Sequence, residues 1–339
     1  MSQTSCLLPI LYTMILLPKI ITTCLVSAAS LSQACLMAPK TYKGEVGQNM
    51  HEAVMFHADG REELVLGIKY NLRPVEGEKV PATFAWVITV PNEPDRYALA
   101  DSDLFKKTFS WATPLITPKP GGFGIVPRNK GANILLSKEV KIGPYTIQPI
   151  KALGLQAIKG LNKWLDDNGF PQENENHMKY FIENDFTFLC VKINPTARQK
   201  SVPSGGSIKP LHLSFASKQP YFPLKFSSRQ GVFGVNVWMF TKNKIDSVKC
   251  DPIFAQLAVE KSRQFKDATL RGNYRLENVS VKSTEFPSPL KKIILDAQHE
   301  AIKGTVQWNL SLIRSEMVNH KVKIANWKTD LFFPLVKTE

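Results

Sequence analysis

The chain has 339 residues, 43 Lys+Arg against 29 Asp+Glu, and is 43% hydrophobic and 21% charged, values that exclude a mainly disordered protein. Its 19 glycines and 23 prolines follow no collagen-like period, and no unit of repeat-protein length recurs, which excludes fibrous and solenoid architectures. A formal net charge of +14 attracts nucleic acid, anionic lipid or acidic polysaccharide without choosing among them.

From Met1 to Ala34 there is no Asp, Glu or Arg and one Lys, Lys19. Pro9 and Pro18 interrupt the segment when it is read from Met1. Read from Met14, it shows a charged start ending at Lys19, an apolar run from Ile20 to Leu31 and the small-x-small signal Ser32-Gln33-Ala34, the pattern of a cleaved secretory signal peptide. Met14 is thus the expected start, residues 1–34 the leader and Cys35 the first mature residue. Thr22, Thr23, Ser27 and Ser30 dilute the run below what a retained membrane span needs. A cysteine after the cleavage point also allows a diacylglyceryl tether through Cys35, although Ser32 stands where a lipoprotein signal carries Leu. The expected location is periplasmic or extracellular, free or tethered. If Cys35 is acylated, Cys190 and Cys250 are the one remaining candidate disulfide. The plainer reading of Cys190, in Phe188-Leu189-Cys190-Val191, is a small buried hydrophobe.

Along the mature chain, Glu63 to Tyr70 and Ala82 to Val90 are rich in β-branched and aromatic residues and read as strands, with Asn71 to Pro81 as a long hairpin-type loop. Asp101 to Trp111 has helical spacing. Thr113 to Gly131, with four prolines and four glycines, reads as an irregular exposed loop. Lys138 to Lys151 resumes β character. Gly154 to Asn168 forms an amphipathic helix closed by Asn168-Gly169 and Pro171, and a short helix over Asn176 to Asn184 leads into the strand Phe186 to Ile193. Leu211 to Phe215 and Tyr221 to Phe226 alternate as paired strands, and Val232 to Phe240 adds another. Beyond Cys250, Pro252 to Phe265 is helix-like and Leu290 to Lys303 ambiguous, while Trp308 to Ile313 and Val322 to Trp327 read as strands. The sum is an α+β fold, mainly antiparallel sheet with a few short helices packed on it. A leader (1–34), a β-rich domain (35–249) and a C-terminal extension or second small domain (250–339) are expected.

No phosphate-binding loop, nucleophile elbow or metal-ligand spacing is present. Gly121-Gly122-Phe123-Gly124 lacks the Lys-Ser/Thr and the strand-to-helix context of a phosphate cradle. No cofactor or metal ligand set is predicted, and a Cys190 and His212 nucleophile pair is disfavoured because a reactive thiolate needs an electropositive, partly exposed setting. Asp166-Asp167 reads as a solvated helix end. Two segments are strongly basic. Leu104 to Lys138 carries six cations and no acid, among them Lys106, Lys107, Lys119, Arg128 and Lys130. Asn194 to Ile245 carries eight and no acid, among them Arg198, Lys200, Lys209, Lys218 and Arg229. Aromatics interleave with the second, which superficially suits single-stranded nucleic acid, but alternating strands with aromatics inward and lysines outward explain it without a ligand. These cations are the candidate contacts to an anionic partner.

Asn49 to Phe56 followed by Asp59-Gly60-x-Glu62-x-Leu64-Val65-Leu66, then Phe84-Ala85-Trp86-Val87-Ile88-x-Val90-Pro91, resembles the bacterial domain-of-unknown-function family 2330. Val140-x-x-Gly143-Pro144-Tyr145, Leu161-x-x-Trp164-Leu165-x-x-Asn168-Gly169-Phe170, Phe188-x-x-Val191-Lys192-Ile193 and Leu211-x-Leu213-x-Phe215 follow in order, so the resemblance spans roughly Cys35 to Asp246. It implies an exported bacterial protein without assigned activity, and so carries over no catalytic residue. The expected function is an envelope binding or scaffolding module whose basic surface meets anionic polymer, lipid head groups or an acidic protein, with no nucleic acid. The alternative is a secreted hydrolase, with Thr113 to Gly131 the first place to seek its site.

Overall fold

The computed structural model describes residues 35–116, 139–151, 154–194, 203, 205–229, 233–246, 248–250, 279–318 and 330–336. A two-residue strand, β1 (Leu36–Met37), is followed by the long hairpin of β2 (Glu45–Ala58) and β3 (Arg61–Arg73). Its turn is Asp59-Gly60 with φ angles of 46° and 78°, the two left-handed residues that a type I′ connection requires. Then come β4 (Phe84–Val90), β5 (Arg96–Leu99), α1 (Leu104–Ile116), β6 (Val140–Ile142), β7 (Tyr145–Lys151), α2 (Gly154–Asp167), α3 (Glu175–Glu183) and β8 (Thr187–Ile193). The rest comprises β9 (Gly205–Ser207), β10 (Leu211–Ala216), β11 (Tyr221–Phe222), a 3-10 turn (Lys225–Arg229), β12 (Phe233–Thr241), β13 (Val279–Lys282), α4 (Ser288–Asp296), α5 (Glu300–Lys303), β14 (Gln307–Val318) and β15 (Leu331–Phe332).

These strands build two main sheets. The smaller has the order β1-β4-β8-β7-β6; the larger runs β13-β14-β12-β2-β3-β10-β5, with β9 added to β3. Every pairing is antiparallel except β2 with β12. Side-chain alternation assigns the faces. On β3, Leu64, Leu66 and Ile68 join the core between the sheets, while Val65 joins a second core under α1 and α4. On β12, Val235, Val237 and Met239 face the first core and Trp238 and Phe240 the second. Tyr70 of β3 meets Phe84 of β4 edge-on at 5.5 Å across the inter-sheet space, and Phe181 of α3 meets Phe188 of β8 at 5.8 Å on the far side of the smaller sheet. The layers are therefore helix pair, sheet, sheet, helix layer, and β4, β10 and β12 are buried on both faces for nearly their whole length. Each large apolar side chain buried this way contributes about 1.5–3 kcal/mol.

The structure redraws several expectations. Asn71 to Pro81 is no hairpin loop, because β3 pairs with β2 and β10 while β4 pairs with β1 and β8; the segment crosses from one sheet to the other. β10 and β11 are not partners either. β10 lies between β3 and β5, and β11 pairs with β15, since Pro223 removes an N–H and the chain turns into the 3-10 segment instead of continuing the strand. α1 runs on through Pro114 into the expected loop, the missing N–H falling in its last turn. β2 and β5 have no counterpart among the expected elements. Leu290 to Lys303 resolves into α4 and α5, and β13 and β14 join the larger sheet. Pro252 to Phe265 and Val322 to Trp327 lie outside the described residues.

Trp308 of β14 is fully buried, donates its indole N–H to the Thr305 carbonyl at 3.0 Å and meets Phe56 edge-on at 5.1 Å. Trp308→Ala is expected to cost about 3–5 kcal/mol of stability, as large aromatic truncations in cores do, read as a lowered urea midpoint. An unchanged midpoint would show that β14 is dispensable to the sheet.

Candidate functional site

The polar groups that the fold encloses form two networks. The first lies on β3, β5 and β10. Ser214 stands opposite Glu63 in the ladder and donates to Glu63 Oε1 at 2.9 Å, while His212 Nε2 donates to Glu63 Oε2 at 2.7 Å. Arg61 also reaches Ser214 and pairs with Asp95, which in turn meets His299 at 3.2 Å. A serine, a histidine and a glutamate are thus together, but in the wrong order for nucleophile activation. The carboxylate sits in the middle, whereas a hydrolase needs the imidazole between hydroxyl and acid. All three side chains are at most 2% exposed, so no substrate reaches them. The network is a cross-strand staple.

The second network ties the C-terminal segment to the body. Asp330, buried, accepts the N–H groups of Leu224 and Lys225 at 2.8 and 2.6 Å and the Tyr221 hydroxyl at 2.7 Å. It thereby satisfies the leading N–H groups of the 3-10 turn, the role of a helix cap. Lys225 lies 5.1 Å from the centre of the Tyr180 ring. Burial holds the Asp330 carboxyl above the usual carboxylate range in spite of these donors, and burial lowers the Lys225 ammonium. The backbone N–H of Tyr221 goes to a second enclosed carboxyl, Glu62, at 2.8 Å. Glu62 has no solvent exposure, its Oε1 has no hydrogen-bond partner among the described residues, and burial raises it well above the usual range. Neither Glu62 nor Asp330 stands out as a site in the sequence. The only signal is a pair of acids, Glu62-Glu63, heading an otherwise apolar strand.

Cys35 is buried between the sheets, where Gln48 (3.9 Å), Ser227 and Trp86 approach its sulfur, and burial raises the thiol. The cleft beside it has about 20 Å³ of free space, room for one water. A diacylglyceryl group on this sulfur does not fit there, so a tether through Cys35 requires β1 to leave the sheet. The candidate disulfide is corrected outright. Cys190 is an unbridged thiol in β8, facing α2 and α3, and burial raises it; no bond links it to Cys250, which is also buried. His212 is on the opposite side of the larger sheet, which dismantles the Cys190 and His212 pair.

Of the candidate cations, Lys106, Lys107, Lys209 and Lys218 are exposed. The fold does not gather them. Lys106 and Lys107 are on α1, while Lys209 and Lys218 flank the two ends of β10, about 20 Å of strand apart. For Arg229 the backbone alone is described, at the end of the 3-10 turn. Ala34, Lys119, Arg128, Lys130, Arg198 and Lys200 lie outside the described residues, as does most of the loop Thr113 to Gly131. Asp166 and Asp167 pair with Lys40 and Lys163. The interleaved aromatics Phe215, Tyr221, Phe222, Phe226, Phe233, Trp238 and Phe240 are all buried, so none offers a face to a nucleobase. Among the described residues no His, Cys, Asp and Glu grouping suits a metal ion.

Charge is instead partitioned by depth. Glu52, Glu62, Glu63, Glu173 and Asp330 are buried, whereas no described Lys or Arg is. Among the described residues the solvent-facing shell is therefore more cationic than the formal charges of those same residues sum to.

These features define an α+β, β-rich domain with sealed polar networks. The chain belongs to the family DUF2330, uncharacterized proteins conserved in bacteria, whose model matches residues 34–297. Of the curated proteins none matches. A crystal structure of baculovirus P35 is similar over 66% of this chain and 74% of that one, with 8% identity and a TM-score of 0.37, a level that says nothing further of this chain.

Because Glu62 is raised, the native state holds its proton from the ordinary carboxylate value upward, and that share of stability is lost as pH rises through the native value. Glu62→Gln does not titrate. Its melting temperature is expected to match the parent near pH 4 and to exceed it increasingly towards alkaline pH. A constant difference across the range would show that Glu62 is not held protonated.

Proposed function

We propose that the chain is an exported bacterial envelope protein that acts by binding or scaffolding, its cationic shell meeting anionic envelope polymer, lipid head groups or an acidic protein. The observation that carries this reading is the partition of charge: carboxyls are drawn into the core while lysines stay in solvent, on a chain of net charge +14. Such a shell steers anionic partners towards the protein. The charge-poor stretch before Cys35 supports export, and among the described residues no helix is long and apolar enough to cross a membrane. Nucleic acid is the less apt anion, because the aromatics that would stack on bases are inside. The secreted-hydrolase alternative draws no support from Glu63, His212 and Ser214, whose order and enclosure suit a staple.

Isolated bacterial envelopes are expected to retain the purified protein at about 0.1 M salt and to release it at about 1 M, where screening shrinks to about 3 Å. Retention that ignores salt, or its absence at low salt, would contradict the proposal.

A further inference from the structure

Two buried side chains lie directly opposite each other beside the β2–β3 turn. His57 of β2 is the ladder partner of Glu62 of β3, and residues so placed share a face, with Cβ atoms about 4.5–5.5 Å apart. The face is the one that carries Met55, Leu64 and Leu66 into the core between the sheets. His57 is 2% exposed and Glu62 0%. Each commits one polar atom to the connection between β10 and β11: His57 Nε2 is 2.8 Å from the Ser217 carbonyl, and Glu62 Oε2 accepts the Tyr221 N–H at 2.8 Å. A carbonyl only accepts, so Nε2 carries the ring proton, and the neutral ring offers Nδ1 as an acceptor. His57 Nδ1 and Glu62 Oε1 are then left over, both enclosed and neither with a hydrogen-bond partner among the described residues. The neighbouring strands place Thr241 of β12 next to His57 and Phe215 of β10 next to Glu62, neither of them ionisable.

We infer that a buried water joins the two side chains, accepting the acid proton of Glu62 at Oε1 and donating to His57 Nδ1. An enclosed water needs at least two polar partners, and these two atoms supply one donor and one acceptor. Burial raises Glu62 and lowers His57, so both are held in the neutral forms that the bridge uses. Glu63 adds to the first shift, while the Ser217 carbonyl and Asp59, itself paired with Lys242, oppose the second. Asp330 is engaged by Tyr221, Leu224 and Lys225. The bridged pair fastens both ends of 217–221, the step from the larger sheet to the two-stranded sheet of β11 and β15. As pH falls below the ordinary histidine value and through the lowered native one, His57 gains a buried charge and this share of stability is lost. The inference is independent of the envelope-binding proposal.

The test is nitrogen-15 and carbon-13 NMR of the full chain, reading the His57 ring and the Glu62 carboxyl, together with a crystal structure resolved well enough to place waters. Near pH 7, His57 is expected to be neutral with its proton on Nε2, Glu62 to be protonated, and a water to lie within about 3.2 Å of both Nδ1 and Oε1. As the pH is raised, the His57 nitrogen signal should shift together with the titration of the Glu62 carboxyl. The amide of Glu62→Gln keeps a donor for the water and an acceptor for Tyr221, so in that variant the water and the tautomer should remain and the alkaline shift should vanish. A ring proton on Nδ1, an ionised Glu62 near pH 7, a dry gap, or a His57 signal indifferent to the titration of Glu62 overturns the inference. The measurements on the parent decide this even where the variant does not fold.

Discussion

Burial of strands on both faces is the constraint from which the rest of the structure follows. β4, β10 and β12 have no solvent side, so neither sheet can stop at two layers. The smaller sheet takes α2 and α3 on its outer face, and the larger takes α1, α4 and α5. An enclosed strand is under pressure to pair the polar groups it carries within the protein, because an unpaired one costs about 1–3 kcal/mol. That pressure turns the acids of β3 into organising elements. Glu63 accepts from two side chains of the neighbouring strand, and Glu62 accepts the N–H that starts β11.

The C-terminal segment is placed by the same logic. Pro223 ends β11, the 3-10 turn leaves its leading N–H groups without backbone partners, and Asp330 supplies the oxygens. The carboxylate arrives together with β15, so one residue closes both a turn and a two-stranded sheet. Ile245 and Leu335 add a further bridge. Residues beyond 297, where the family match ends, thus contribute β14, the strand between β13 and β12 in the larger sheet, and the cap. In drawing acids inward these networks leave the lysines to define the surface.

The parts of the fold legible in the sequence are those with local causes. β4 and β8 read directly as apolar, β-branched runs, and α2 is bounded by its Asn168-Gly169 stop. β2 is hidden because His51, Glu52 and His57 interrupt its pattern, and only the tertiary fold explains their burial. The crossing from β3 to β4 is invisible, since a loop of that length serves a hairpin or a change of sheet equally well. At the site level, exposure of Lys106, Lys107, Lys209 and Lys218 follows from their type, but their dispersal does not. Asp330 has no local signal at all, its partners being more than a hundred residues away in the chain.

Choice among anionic partners depends on compartment, because the same cationic shell in the cytosol would face nucleic acid. The most direct measurement is the intact mass and N-terminal sequence of the protein recovered from separated cytosolic, membrane and periplasmic or medium fractions. The chain is expected to begin at Cys35 outside the cytosol, with a mass that shows an unmodified thiol, in keeping with the enclosed sulfur. An uncleaved chain confined to the cytosol would contradict this expectation.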